Sequence, residues 1–140
     1  MTASAGRPLS DADYQALARF RYALRRFLRF SEDAARKSGM TPAQHQLLLA
    51  VRGFEGDGPP SVSDVAEALQ LRPHSALELV VRAETHGLLR RGADPRDHRR
   101  TLLRLTGEGE RHLAALTAQH RAELRRFRAE MAELLRILDP

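Results

Sequence analysis

The 140-residue chain contains no cysteine, which excludes disulfides, thiolate metal sites, cysteine nucleophiles and thiol redox sensing together. No apolar run approaches the roughly 18 residues of a membrane span, so no membrane association is expected. The opening MTASAGRPLSDAD lacks an apolar segment and already carries two aspartates, unlike a secretory signal. The lack of a signal-like segment gives the expectation of a cytoplasmic address, which the absence of cysteine does not oppose. Lysine is nearly missing as well: every basic residue except Lys37 is arginine, within a net charge of +5.

Catalytic groupings are also lacking. The one linker candidate, Gly53-Phe54-Glu55-Gly56-Asp57-Gly58-Pro59-Pro60, has no Lys-Ser/Thr ending and is not a phosphate-binding loop. Asp94 and Asp97 fall in a basic, turn-rich segment where salt bridging accounts for them. His112 and His120 are about 12 Å apart along a helix, too far for one ion, and His45, His74, His86 and His98 form no i,i+4 pairs. An enzyme is not expected, and neither is a metal or other cofactor.

What is present is mostly helical. Ser10 with Asp13 reads as a helix start, and Tyr14, Leu17, Phe20, Leu24, Phe27 and Leu28 follow at helical spacing. Gly39 ends that helix. Thr41-Pro42 opens a second one, which runs to Gly53. Ser61 caps a short third helix carrying Val62, Val65, Ala66 and Leu69. A fourth starts near Pro73 and runs through Leu77, Leu79, Val80 and Val81 to His86, with Gly87 as its stop. Two short helices joined by a tight turn form a helix-turn-helix pattern. The period then changes: Leu88–Arg91 and Thr101–Leu105 read as strands around a turn-rich tip, giving a β-hairpin.

Thr106 caps the last helical region, where Leu113, Thr117, His120, Leu124, Phe127, Met131, Leu134 and Leu138 alternate at spacings of four and three, a heptad-like seam. Read together with Tyr14 and Leu17, this seam marks the two ends of the chain as a dimerisation module. An intramolecular helix pair is the alternative. The expected organisation is 1–40 and 107–140 for the dimer module, around a DNA-binding lobe at 41–106. The fold class is therefore mainly α with a small β-hairpin wing: a winged helix-turn-helix lobe plus terminal helices. His120 on the seam is a candidate source of pH sensitivity.

The placement of the charges decides their meaning. Arginine's planar fork matches phosphate and guanine bidentately, although a GC-rich genome yields the same bias in composition. Around the hairpin, Arg90, Arg91, Arg96, Arg99, Arg100 and Arg104 cluster within fifteen residues, which suits a narrow minor groove of negative potential. At the start of the fourth helix, Arg72 and Ser75 are candidates for phosphate, His74 and Glu78 for base edges, and Arg82 lies a turn further on. The major groove admits one such helix. The competing reading is a winged-helix scaffold that binds protein without operator DNA.

The run Gly87-Leu88-Leu89-Arg90-Arg91, followed by Asp94-Pro95-Arg96-Asp97-His98-Arg99-Arg100 and Leu103-Arg104-Leu105-Thr106, resembles the wing signature of the MarR (multiple antibiotic resistance regulator) family. Asp97, Arg99, Leu105, Thr106 and Gly109 carry the likeness. The resemblance implies that Arg99 enters the minor groove, oriented by Asp97. It implies a homodimer on a pseudo-palindromic operator in double-stranded DNA, a repressor role, and a small aromatic or phenolic anionic effector. Candidate effector residues are Phe30, Arg36, His45, Arg52 and Arg111. His74 departs from the small polar residue often found at its position, which bears on base preference rather than on fold.

Overall fold

The computed structural model describes residues 6–138. Along the chain run α1 (Asp11–Lys37), α2 (Pro42–Arg52), α3 (Val62–Ala68), α4 (Pro73–Thr85), β1 (Leu89–Ala93), β2 (Thr101–Leu105) and α5 (Gly107–Leu138). Local chemistry sets most of these boundaries. Thr41 and Gln44 form a reciprocal capping box at α2, and Ser61 and Asp64 form another at α3, each cap contributing about 1 kcal/mol. At α1, Asp13 accepts the Ser10 backbone N–H at 2.8 Å. Gly39 and Gly87 adopt positive φ just beyond α1 and α4, the left-handed turn that glycine makes without steric cost.

The chain divides into two compact units, 32–119 and the pairing of 6–31 with 120–138. In the first of these, Leu47 and Leu48 from α2, Val65 from α3, Val80 from α4, Leu89 and Leu103 from the hairpin, and Leu116 from α5 are fully buried. Each such side chain contributes roughly 1.5–3 kcal/mol. β1 and β2 are antiparallel, paired from Leu89 with Leu105 out to Ala93 with Thr101. The residues before α3 join their edge: Leu103 N–H bonds the Pro60 carbonyl at 2.9 Å, and Ser61 bridges Leu102. The wing is thereby fastened to the helix-turn-helix.

In the other unit, α1 and α5 pack through Phe27 and Phe127, with ring centroids 5.2 Å apart. His120 is buried, accepts or donates a 2.8 Å hydrogen bond with Ser31 Oγ, and meets Phe27 and Phe30 edge-on. Arg26 faces Glu130 at 3.8 Å. Residues 107–138 form one continuous helix, because no glycine or proline interrupts them after Gly109.

The seam expected to serve a dimer is partly spent inside the chain. Leu113 belongs to the core of 32–119, and His120 and Leu134 are also buried. The physical reason is that a heptad stripe needs only some apolar neighbour, and within each unit the same chain supplies one. Tyr14, Leu17, Leu124 and Leu138 stay exposed, while Phe127 and Met131 are half-buried.

Candidate nucleic-acid interface

α4 is divided lengthwise. Ala76, Val80 and Ala83 face the core and are fully buried. His74, Ser75, Leu77, Glu78, Val81 and Arg82 are exposed. Its N-cap, Arg72, makes no side-chain capping bond, so the positive end of the helix is left to solvent or to an anion. His74 Nε2 lies 3.1 Å from Glu78 Oε1; the two candidate base readers pair with each other one turn apart.

The wing tip is built by its own carboxylates. Asp94 is buried and accepts the Arg96 N–H at 2.9 Å. Asp97 accepts from the Arg99 backbone N–H at 3.0 Å, from Arg99 Nε at 3.1 Å and from Nη2 at 3.4 Å. The Arg99 side-chain bonds, then its amide, hold the Asp97 carboxyl below the usual carboxylate range, with the Arg100 charge adding to them. The Arg99 side chain is nonetheless 91% exposed. One edge of the guanidinium is thus oriented by Asp97, while the side chain projects outward.

The six arginines of the hairpin are not equivalent. Arg91 is engaged by Glu84 at 3.0 Å, and Arg100 reaches Asp64 Oδ2 at 3.3 Å and Asp94 Oδ2 at 3.8 Å. Arg100 thus ties the wing to the first turn of α3. Arg90, Arg96 and Arg104 enter no ion pair among the described residues, and Arg90 and Arg104 are cross-strand partners. A recess of about 260 Å³ between α3, α4 and the wing is lined by Ser61, Ser63, His74, Leu77, Arg99 and Arg100. Tertiary structure therefore brings His74 from the helix and Arg99 from the wing to one concave surface.

Sequence reasoning missed the Asp64–Arg100 link. The only local signal was the spacing of Ser61 and Asp64, which identifies a helix cap and says nothing of a partner 36 residues away. The exposure of Leu77 and Val81 was missed too, because both belong to an apolar run that reads as core.

The effector candidates are dispersed. Phe30 lines a recess of about 240 Å³ in the α1–α5 unit with Phe27, Phe127, Arg26, Arg29 and Arg126. The other four fall within 32–119. Arg52 pairs with Glu110 at 3.1 Å and lines a separate recess with Phe54 and Pro60. Arg36 faces Asp33 at 3.6 Å, His45 is buried and Arg111 is exposed. Among the described residues, no cluster of three His, Asp or Glu side chains is arranged to hold a metal ion. No helix among them is long and apolar enough to cross a membrane.

A helix pair with a four-residue turn, followed by a two-stranded antiparallel hairpin fastened to its first helix, defines a winged helix-turn-helix protein. The model of the MarR family matches residues 38–100. The chain is 28% identical over 101 residues to the HTH-type transcriptional repressor MdtR of Bacillus subtilis (strain 168), covering 72% of this chain and 63% of that protein. It thus spans somewhat less than two thirds of that curated relative. AbsC, a MarR family transcriptional regulator from Streptomyces coelicolor, shares the fold with a TM-score of 0.73 at 24% identity, over 96% of this chain and 95% of its own. MepR of S. aureus, in a crystal structure with DNA, superposes with a TM-score of 0.68 at 20% identity, over 88% of this chain and 85% of that one. Over residues 38–100, which hold the helix-turn-helix and most of the wing, the chain is thus similar to the MarR family.

Proposed function

We propose that the protein is a sequence-specific transcription regulator that binds a pseudo-palindromic operator in double-stranded DNA as a homodimer, and that it acts as a repressor. The observation that carries this reading is the Asp97-oriented, outward-projecting Arg99 at the wing tip, sharing one recess with the exposed polar face of α4. α4 supplies base contacts in the major groove through His74 and Glu78, and phosphate contacts through Arg72, Ser75 and Arg82. The wing enters the neighbouring minor groove through Arg99, with Arg96 beside it, while Arg100 holds the wing against α3.

Dimerisation is supported by the apolar surface of the α1–α5 unit. Leu9, Tyr14, Leu17, Tyr22, Leu28, Leu124, Leu135 and Leu138 all remain substantially exposed there, more than isolated surface leucines account for. The role of MdtR as a repressor and the DNA-bound structure of MepR accord with this reading. Response to a small aromatic anion belongs to the same proposal. Phe30 is the candidate that lines a recess with aromatic walls, at which Arg29 stands beside Arg26 and Arg126, both paired with Glu130.

The deciding experiment is selection from a random duplex library with purified protein, then titration of the enriched sequence at two salt concentrations. An inverted repeat with half-sites about 34 Å apart, bound with a steep salt dependence, is the expected outcome. Sequence-blind binding that barely responds to salt overturns it and moves the reading to a protein-binding scaffold. Sedimentation across a dilution series should give a dimer.

A further inference from the structure

The groove-facing side of α4 is not purely polar. Leu77 and Val81, one turn apart, are 39% and 38% exposed, while Val80 between them is fully buried. Isolated exposed leucines need no explanation. These two, however, share the exposed face that holds His74, Glu78 and Arg82, and Leu77 lines the recess with His74, Arg99 and Arg100. The cationic surround favours nucleic acid over an apolar protein partner.

We propose that Leu77 and Val81 are specificity residues that read the C5-methyl groups of thymine in each half-site; this rests on the assignment of α4 to the major groove. The thymine methyl is the apolar group that the four bases display there. A leucine or valine facing any other base edge removes water from a donor or acceptor and returns no hydrogen bond. The pair therefore rewards thymine over cytosine, which lacks the C5-methyl that would fill the apolar surface. Four residues of helix rise about 6 Å against about 3.4 Å per base step, so the two methyls lie about two steps apart. Glu78, on the same face, accepts from a neighbouring cytosine N4–H₂.

The test replaces each thymine of the selected operator, one at a time and symmetrically in both half-sites, by deoxyuridine, which removes only the methyl. Affinities are measured for the wild type and for Leu77→Ala and Val81→Ala. Loss of roughly fourfold per buried methyl, and so about fifteenfold for a symmetric pair, is expected at one or two positions. In the matching alanine variant that thymine–uracil difference should shrink to under twofold, with the salt slope unchanged. Wild-type protein that selects an operator yet binds every uracil-substituted version equally well overturns the inference and leaves operator binding standing. So does a thymine preference that persists in both variants. Failure to select any operator removes the inference together with the function on which it rests.

Discussion

At the residue scale, Arg99 and Asp97 act as one unit. The carboxylate binds both the amide and the guanidinium of Arg99, which restricts a long side chain that would otherwise lose rotamer entropy on docking. Arg99→Ala should weaken binding to every duplex and flatten the slope of log K against log salt by about 1 per half-site, read by fluorescence anisotropy across a salt series. Changing His74 or Glu78 should instead shift which sequences are preferred, because the proposed complex sets these residues against base edges rather than phosphates. The local acid–arginine spacing of Asp97 and Arg99 was legible in the sequence, since two residues is a distance that a turn fixes by itself. The division of labour among the other arginines was not, because the carboxylates that engage Arg91 and Arg100 come from α4 and α3.

At the scale of elements, the turn between α3 and α4 is tight for its composition. Gln70 adopts φ of 56°, a left-handed conformation that costs a non-glycine residue roughly 1–2 kcal/mol. Its exposed side chain returns one bond, Nε2 to the Glu67 carbonyl at 2.8 Å. Gln70→Gly should therefore raise stability by up to about 1 kcal/mol, seen as a higher denaturation midpoint with unchanged m-value. Gly109 behaves oppositely. A Cβ there would run into the Leu88 carbonyl, where α5 closes against the start of β1 and Thr106 N–H bonds the same oxygen at 3.1 Å. Gly109→Ala should destabilise by about 1–3 kcal/mol and weaken DNA binding through displacement of the wing, measured by urea titration alongside operator affinity. Caps at Thr41 and Ser61 and stops at Gly39 and Gly87 were all readable in advance, because each acts within a few residues of chain.

At the scale of the whole molecule, four carboxyls among the described residues lie below their ordinary range. Asp13 is lowered chiefly by the Arg7 side chain and the Ser10 amide. Glu84 is lowered by the Arg91 amide and side chain, Asp97 by Arg99, and Glu133 by Arg136. A depressed folded-state value means that the unfolded chain binds more protons than the native one at low pH. The stability from these groups is therefore fully present above the unfolded-state values of about 3.9 for Asp and 4.3 for Glu. It is lost as pH falls through the lower folded-state values. Thermal midpoints at constant ionic strength should be insensitive to these four groups between about pH 5.5 and 8 and fall progressively below about pH 4.5. Asp97→Asn should remove part of that acid dependence.

Periodicity, caps and turn residues determined the order of the elements, the helix-turn-helix and the wing, because those signals are local and act through backbone geometry. The seam of α5 was equally plain as a pattern, but its partner was not: the packing of Phe127 on Phe27, and the burial of Leu113, His120 and Leu134, depend on segments far away in the chain. Tertiary structure alone decided which arginines remain unpaired and that Leu77 and Val81 face outward. Ion pairing and burial are sums over neighbours brought together by folding, and no window of sequence contains those neighbours.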